Sequence, residues 1–239
     1  MSGDYRHNHL VGILGGMGPA ATAEFYTKLV RRTPATRDQD HLRVAIWADP
    51  TVPDRVAAAI NGSDEPYPAM LHGALRLRDI GVTEIVIPCH TAHIFLPKLV
   101  ADTGVRFLDM VHETITELAG PRRPVGGVGL LGTRGTIRTG LYQSSLQEAG
   151  LDVIVPDEAG QEHLDHAIAM VKQANTEAAG RQLQIVLDAL AKQDASPIIL
   201  ACTELPLAVP YLPGPRQVEL LDPTDLLADA IVRECLGEA

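Results

Sequence analysis

The sequence has few aromatic residues, which narrows the fold classes that it suits. Phe, Tyr and Trp make up 4% of its 239 residues, whereas the hydrophobic residues as a group make up 46%. Ala, Val, Leu and Ile therefore fill most apolar positions, and this bias suits parallel sheets buried under helices better than aromatic-rich β-sandwiches. The length corresponds to one large domain or two small ones.

Basic residues are in the minority, which limits the partners of the protein. There are 20 Lys and Arg residues against 30 Asp and Glu residues, so the formal charge is −10 at pH 7. A surface of this sign repels phosphate backbones, and we expect no nucleic-acid partner. Anionic small molecules remain allowed, because a few local Lys or Arg side chains can dominate the potential inside one pocket.

The chain also lacks long apolar runs and has only three cysteines. No apolar run approaches the roughly 18 residues that cross a bilayer, and the first residues do not have the basic and apolar regions of a signal peptide. Cys89, Cys202 and Cys235 are odd in number and widely spaced, which does not fit a disulfide framework. These features predict a cytoplasmic protein with reduced thiols and no membrane contact.

Short apolar segments alternate with segments of helical periodicity along the chain. We predict strands at His9–Leu14, Arg43–Ala48, Glu84–Pro88, Val105–Leu108, Val128–Leu131, Val153–Val155, Ile198–Ala201 and Leu220–Asp222. We predict helices at Ala21–Arg31, Pro68–Ile80, Val111–Leu118, Ile137–Ala149, Gln161–Ile185 (with an interruption near Gly180) and Thr224–Leu236. This alternation predicts an α/β fold with parallel sheets, doubly wound and flanked by helices.

The second half of the chain repeats the organisation of the first half. GILGGMGPAAT at Gly12–Thr22 aligns with GLLGTRGTIRT at Gly129–Thr139, and IVIPCHT at Ile85–Thr91 aligns with IILACTE at Ile198–Glu204. We therefore predict two pseudo-symmetric lobes, residues 1–110 with 216–239 and residues 111–215. The carboxyl ends of their strands should line the cleft between them.

Cys89 and Cys202 occupy matching points of this duplicated pattern. Each cysteine ends an apolar strand and precedes a predicted helix, whose N-terminus favours a thiolate. Two facing bases would allow a proton to leave one side of a carbon and return on the other. The alternatives are two small buried core residues and a redox pair, although the usual Cys-x-x-Cys spacing is absent.

Two motifs could also indicate a dinucleotide site and a zinc site, and we favour neither. The glycine turn fits Gly16-x-Gly18-x-x-Ala21 loosely, but the acidic residue expected about 20 positions later is not obvious. Cys89, His90 and His93 could be drawn as a zinc site, yet only three ligands are local. The glycine turn more readily lines the cleft, and His93 more readily bonds to the backbone, so we expect no cofactor and no metal.

Several motifs, in the right order over nearly the whole chain, resemble the aspartate/glutamate racemase family and its aspartate racemase branch. They are GILGGMGPAAT, TPATRDQDH, VPDR, PCHTAH, LLGTRGTI, VKQAN, ACTELPL and LLDPTD. The resemblance implies two α/β lobes with the active site between them, often in a homodimer. It implies racemisation of a small amino acid without pyridoxal phosphate, by paired cysteines that match Cys89 and Cys202.

The same resemblance implies the binding residues. It assigns the α-carboxylate and amino group of the substrate to Thr91, Thr133 and Thr203, and the side-chain carboxylate to Arg55 and Lys172. Taken alone, each of these two basic residues is most often a solvated surface charge. Met17, in the glycine turn, should line the same pocket, whereas Cys235 is expected to be a packing residue.

Two positions distinguish this chain within the family. His90 stands where the family usually has Asn, and an imidazole is larger and can ionise near neutral pH. Glu204 stands where the glutamate racemase branch has His, and it could orient Cys202 or bind the substrate ammonium. The main hypothesis is an aspartate racemase; the alternatives are an isomerase or decarboxylase of the same superfamily acting on a small dicarboxylate, and a binding protein with impaired catalysis.

Overall fold

The computed structural model describes residues 8–120, 124, 126–214 and 218–237, which form two four-stranded parallel sheets. The first sheet has the order β2-β1-β3-β4 and the second β6-β5-β7-β8, so both lobes repeat one topology. The strands are β1 Val11–Gly15, β2 Val44–Ala48, β3 Glu84–Val86, β4 Arg106–Phe107, β5 Val128–Gly132, β6 Val153–Ile154, β7 Ile198–Ala201 and β8 Leu220–Leu221. Neighbouring strands are parallel in every pair. The predicted doubly wound α/β fold is confirmed.

Helices cover both faces of each sheet. They are α1 Pro19–Arg32, α2 Arg55–Asn61, α3 Tyr67–Asp79, α4 Leu96–Thr103, α5 Met110–Ala119, α6 Arg134–Arg138, α7 Gln143–Glu148, α8 Glu158–Lys172, α9 Thr176–Ala191, α10 Leu205–Ala208 and α11 Pro223–Leu236, with 3-10 turns at Asp38–Asp40, Thr91–Phe95 and Val209–Tyr211. The central strands β1 and β5 are buried at every position. Such two-sided burial explains their continuous apolar sequence.

Alternate residues of β1 face different helix layers. Val11 and Ile13 pack in the cluster that contains Phe25 of α1 and Leu227 of α11, whereas Leu14 packs in the cluster of α3 and α4. This is the two-residue period of a strand with apolar cover on both sides. The second lobe has the same arrangement, with one cluster under α8 and α9 and another under α5 and α7.

Two predicted helical features are wrong, and one helix was not predicted. The predicted helix Ile137–Ala149 is two short helices, α6 and α7, separated at Gly140, which has a positive φ of 67°. The predicted interruption near Gly180 lies instead between α8 and α9, where Ala174 has a φ of 61°. Gly180 lies inside α9. A larger residue would not fit at this position, because a Cβ there would lie 2.3 Å from the carbonyl oxygen of Tyr211. Helix α2 was not predicted, and Arg55 is its first residue.

The two lobes are also joined by the end of the chain. Strand β8 pairs with β7 in the second sheet, and α11 then packs against α1 and α5. The boundaries at residues 110 and 216 stay a proposal. Among the described residues, no helix is long and apolar enough to cross a membrane.

Candidate active site

One narrow cavity collects all ten of the predicted site residues. Its lining consists of Met17, Arg55, Val56, Cys89, His90, Thr91, Thr133, Lys172, Ala201, Cys202, Thr203 and Glu204. Val56 and Ala201 were not predicted, although each is a sequence neighbour of a residue that was. The cavity has a volume of about 20 Å³, roughly the space that one water molecule occupies.

The sheet topology explains why distant residues meet in this cavity. In each lobe the chain order reverses between the two central strands, and a crevice opens beyond their carboxyl ends. Met17 follows β1 and Cys89 follows β3, while Thr133 follows β5 and Cys202 follows β7. Two equivalent crevices, one from each lobe, therefore contribute to one site.

The turn after β1 needs glycine at position 16. Gly16 has a φ of 90°, and a Cβ on it would lie 2.4 Å from backbone atoms of Asp49. Its N–H donates to the hydroxyl of Thr22 over 2.9 Å. This tight turn supports the interpretation of the glycine motif as a wall of the cleft, with Met17 buried in the lining.

Cys89 lies beside a positive charge. Burial raises the pKa of the Cys89 thiol, and the nearby guanidinium of Arg55 opposes part of this rise by favouring the thiolate. The helix expected directly after Cys89 begins only at Leu96, because Thr91–Phe95 is a 3-10 turn. The backbone N–H of Ala92, within that turn, still favours the thiolate. The ligand-free site therefore holds Cys89 with a raised pKa, and Arg55 is its cationic neighbour.

Cys202 lies beside a negative charge instead. Its Sγ atom is 3.1 Å from Oε2 of Glu204, and the hydroxyl of Thr203 is 3.3 Å from the same oxygen. Burial raises the pKa of Cys202 well above its usual value, and the Glu204 carboxylate raises it further. The two thiols thus have neighbours of opposite charge, which favour thiolate at Cys89 and thiol at Cys202.

Three threonine hydroxyls connect the lobes at the edge of the cavity. Thr91 of the first lobe lies 3.0 Å from both Thr133 and Thr136 of the second, measured between Oγ1 atoms. The Thr133 and Thr136 hydroxyls are 3.1 Å apart, and Thr133 also accepts the N–H of Thr136 as the N-cap of α6. These hydroxyls give the cavity neutral donors and acceptors suited to a carboxylate or an ammonium group.

The cations of the cavity approach it from different lobes. Asp54 caps the N-terminus of α2, and Arg55 follows it as the first helical residue. The Nη1 atom of Arg55 donates to the carbonyls of Val52 and Pro53 over 2.9 Å each. Its Nε atom is buried and lacks a partner among the described residues. Lys172, an exposed residue at the end of α8, completes the pair.

The two histidines of the PCHTAH motif have different surroundings. His93 is held by the backbone, with Nδ1 2.9 Å from the carbonyl of Cys89 and Nε2 3.4 Å from the N–H of Met110. His90 has its Nδ1 2.9 Å from the hydroxyl of Tyr142, and its Nε2 is buried without a described partner. Burial, and then His93, holds the pKa of His90 well below 6.5, so its ring is neutral.

Two further features among the described residues lie away from this cavity. A larger groove of about 520 Å³ runs beside α5 and α11 and is lined by residues including Glu113, Asp229 and Arg233, with no cysteine or histidine among its lining residues. His9, Glu84 and Cys235 bring potential ligand atoms within 4.8 Å of one another. In that group, His9 and Cys235 already contact the Glu84 carboxylate at the amino end of β3.

The chain matches known proteins along most of its length. The model of the Asp/Glu/hydantoin racemase family matches residues 14–231. The broad specificity amino-acid racemase RacX of Bacillus subtilis is 32% identical over 232 residues, which cover 95% of this chain and 99% of that protein.

Solved structures of racemases are also similar to this chain. The aspartate racemase of Picrophilus torridus is 30% identical with a TM-score of 0.84, covering 97% of this chain and 95% of that one. The glutamate racemase of Francisella tularensis, solved with D-glutamate, shares the fold at 15% identity, with a TM-score of 0.72 over 97% of this chain and 84% of that one. With a family model over most of the sequence and a relative at 32% identity over nearly its whole length, the chain belongs to the Asp/Glu/hydantoin racemase family.

Proposed function

We propose that this chain racemises aspartate, or a closely related acidic amino acid, without pyridoxal phosphate and by two cysteine bases. The observation that carries the proposal is the single cavity in which Cys89 and Cys202, from equivalent strand ends, meet two cations. Family membership makes the chain an amino-acid isomerase; the acidic substrate and the cysteine mechanism are the proposed parts.

The proposed reaction moves two protons. The Cys89 thiolate takes the α-proton from one face, and the electrons of the Cα–H bond pass into the α-carboxylate. The Cys202 thiol donates its proton to the other face of the same carbon, which restores the carboxylate and inverts the centre. Cys89 ends as thiol and Cys202 as thiolate, so the product state is ready for the reverse reaction.

The charges around the thiols support this order. Arg55 favours a thiolate at Cys89, while Glu204 favours a neutral thiol at Cys202. One base and one acid are needed at the start of each turnover. Burial raises the pKa of both thiols, and these charges make Cys89 the easier of the two to deprotonate. Glu204 also accepts hydrogen bonds, so it suits the substrate ammonium as well as the Cys202 thiol.

The two cations support an acidic side chain on the substrate. A dicarboxylic amino acid carries two anionic groups, and Arg55 and Lys172 are the Arg and Lys residues of the lining. Arg55 can bind a carboxylate with two parallel N–H groups and so fix its rotation, whereas Lys172 acts as a point charge. We infer that these two residues bind the side-chain carboxylate.

The test is racemisation by the reduced protein after treatment with hydroxylamine to remove any carbonyl cofactor. We expect L-aspartate to give D-aspartate, by chiral chromatography, and Cys89→Ser and Cys202→Ser each to lower kcat by at least about a thousandfold, since each deletes one of two required groups. Cys235→Ser is the matched control, because Cys235 is buried outside the cavity, and it should retain activity.

Other outcomes would select other functions. Racemisation retained in either cavity variant would remove the two-base mechanism. Equal rates on aspartate and on basic or apolar amino acids would favour a broad-specificity racemase, and release of CO₂ would favour a decarboxylase. Thermal stabilisation by aspartate without turnover would indicate a binding protein. The homodimer and the cytoplasmic location also remain predictions.

A further inference from the structure

The strongest unexplained contact of the cavity is between His90 and Tyr142. Tyr142 is fully buried in the core of the second lobe and does not line the cavity. Its hydroxyl reaches across to Nδ1 of His90 over 2.9 Å. The other ring nitrogen, Nε2, belongs to a residue that is 2% exposed and lacks a described partner. A buried polar atom without a partner is costly, which points to a ligand that completes it.

We propose that Tyr142 is a positioning residue that holds His90 with its proton on Nδ1, so that Nε2 serves as a hydrogen-bond acceptor in the cavity. This inference rests on the proposed function for its kinetic consequence only. It assigns a role to a residue that the sequence motifs do not include, 52 positions away from the histidine that it contacts.

The direction of the Tyr142 hydrogen bond follows from the unpartnered ring nitrogen. A buried N–H without an acceptor is rarer in proteins than a buried acceptor without a donor, and Nε2 is the nitrogen of His90 that lacks a described partner. The neutral ring therefore carries its proton on Nδ1, whose N–H donates to the Tyr142 oxygen, and Nε2 keeps its lone pair.

A neutral acceptor at this place suits an amino-acid ligand. The cavity has two cations and several hydroxyls for carboxylates, whereas a substrate ammonium needs acceptors. Glu204 is one acceptor and is already in contact with the Cys202 thiol. Nε2 of His90 is a second, and it adds no charge beside Cys89. A ring with the opposite tautomer would present an N–H to the ammonium and repel it.

The direct test is the tautomer of His90 by ¹⁵N NMR of the reduced protein labelled in its histidine rings. His90→Gln identifies the His90 signals. We expect a neutral ring protonated at Nδ1 in the wild type, and a new fraction protonated at Nε2 in Tyr142→Phe, which removes the hydroxyl but keeps the packed ring. A wild-type ring protonated at Nε2, or an unchanged tautomer in Y142F, overturns the proposal.

Kinetics provide the second readout. If only part of the Y142F molecules keep the competent tautomer, the KM for aspartate rises by about three- to tenfold while kcat changes by less than about twofold. The matched control is Tyr67→Phe, because Tyr67 is also buried and hydroxyl-bonded, to Asp102, but lies outside the cavity. Y67F should change neither KM nor the His90 tautomer. Equal KM values for Y142F and wild type count against the role of Tyr142, whereas a wild type inactive on aspartate counts only against the proposed function.

Discussion

At the scale of single residues, Cys89 and Cys202 are equivalent by topology and different by charge. Arg55 adjoins the first thiol, and Glu204 lies 3.1 Å from the second. A symmetric pair would leave both groups in the same protonation state, which gives either no base or no acid. The charged neighbours make the two thiols unequal, because Arg55 opposes the rise in the pKa of Cys89 that burial causes, whereas Glu204 adds to the rise in the pKa of Cys202.

The variant Glu204→Gln tests this electrostatic role. Gln keeps the size and a hydrogen-bonding oxygen but removes the charge that raises the pKa of Cys202. We expect the pH midpoint of Cys202 alkylation by iodoacetamide, measured by peptide mass spectrometry, to move to lower pH. Cys235 provides the internal reference, since its own carboxylate neighbour is Glu84. Identical Cys202 midpoints in wild type and variant would contradict the assignment.

The sequence predicted which residues line the cavity better than it predicted their partners. Motif order and internal duplication located the two cysteines, their threonines and the two cations, because each follows a strand or sits in a motif. Tyr142 escaped prediction, since nothing near it in sequence marks the contact with His90. Its hydroxyl reaches that ring only through packing between lobes, and single-sequence patterns do not contain this information.

At the scale of elements, the site depends on the close approach of α2 and α6. These helices come from different lobes and pack where Gly135 meets Ala59 and Val56. A Cβ at position 135 would lie 3.1 Å from both the Ala59 Cβ and the Val56 Cα, and 3.2 Å from a methyl group of Thr91. Glycine at 135 therefore allows the helices that carry Arg55 and Thr133 to lie side by side.

The variant Gly135→Ala should separate these helices. Helix propensity favours Ala by about 1 kcal/mol, but overpacking against backbone atoms costs about 1–3 kcal/mol. We expect a net loss of about 1 kcal/mol in the free energy of unfolding in urea, together with a lower kcat. The double variant with Ala59→Gly should recover part of the packing loss, as a positive coupling energy. A G135A protein as stable and active as the wild type would show that the contact is not tight.

Strands were predicted more accurately than helices for a physical reason. Each of the eight predicted strands overlaps an observed one. Short continuous apolar runs in an α/β protein usually form the buried strands of its sheets. The breaks at Gly140 and Ala174 were missed, since helical spacing continues across both positions. Gly180 marks a close approach by the chain at Tyr211 rather than a helix end, a distinction that only tertiary structure reveals.

At the scale of the whole molecule, the small volume of the cavity sets a condition on substrate binding. A volume of about 20 Å³ is far smaller than an amino acid, so we expect the walls of the cavity to move apart when the substrate enters. The contacts of Thr91 with Thr133 and Thr136 cross the boundary between the lobes. Opening would also admit water to both thiols and reduce the burial that raises the pKa of each.

Buried titratable groups predict a maximum of stability between two pH limits. Burial lowers the pKa of His90 and His93, so the unfolded chain binds more protons below about pH 6.5 and stability falls as pH decreases. Burial raises the pKa of Cys89 and Cys202, so the folded chain retains more protons above about pH 8.5 and stability falls as pH increases. Each group contributes a slope of up to about 1.4 kcal/mol per pH unit.

Urea unfolding of the reduced protein from pH 5 to pH 10 checks this profile. His90→Gln should flatten the acidic limb and leave the alkaline limb unchanged, which separates this cause from general charge repulsion. A stability that keeps increasing above pH 9, or an acidic limb of equal slope in the variant, would contradict the account.

In the proposed mechanism, two cysteines on opposite faces of one carbon exchange its proton with solvent. The most direct measurement follows L-aspartate in D₂O by proton NMR and chiral chromatography during the first turnovers of the reduced, cofactor-free protein. This mechanism predicts that newly formed D-aspartate carries deuterium at Cα, while the remaining L-aspartate still carries its proton. D-aspartate that retains the original proton, or deuterium entering L-aspartate without inversion, would indicate a single base and contradict the two-cysteine mechanism.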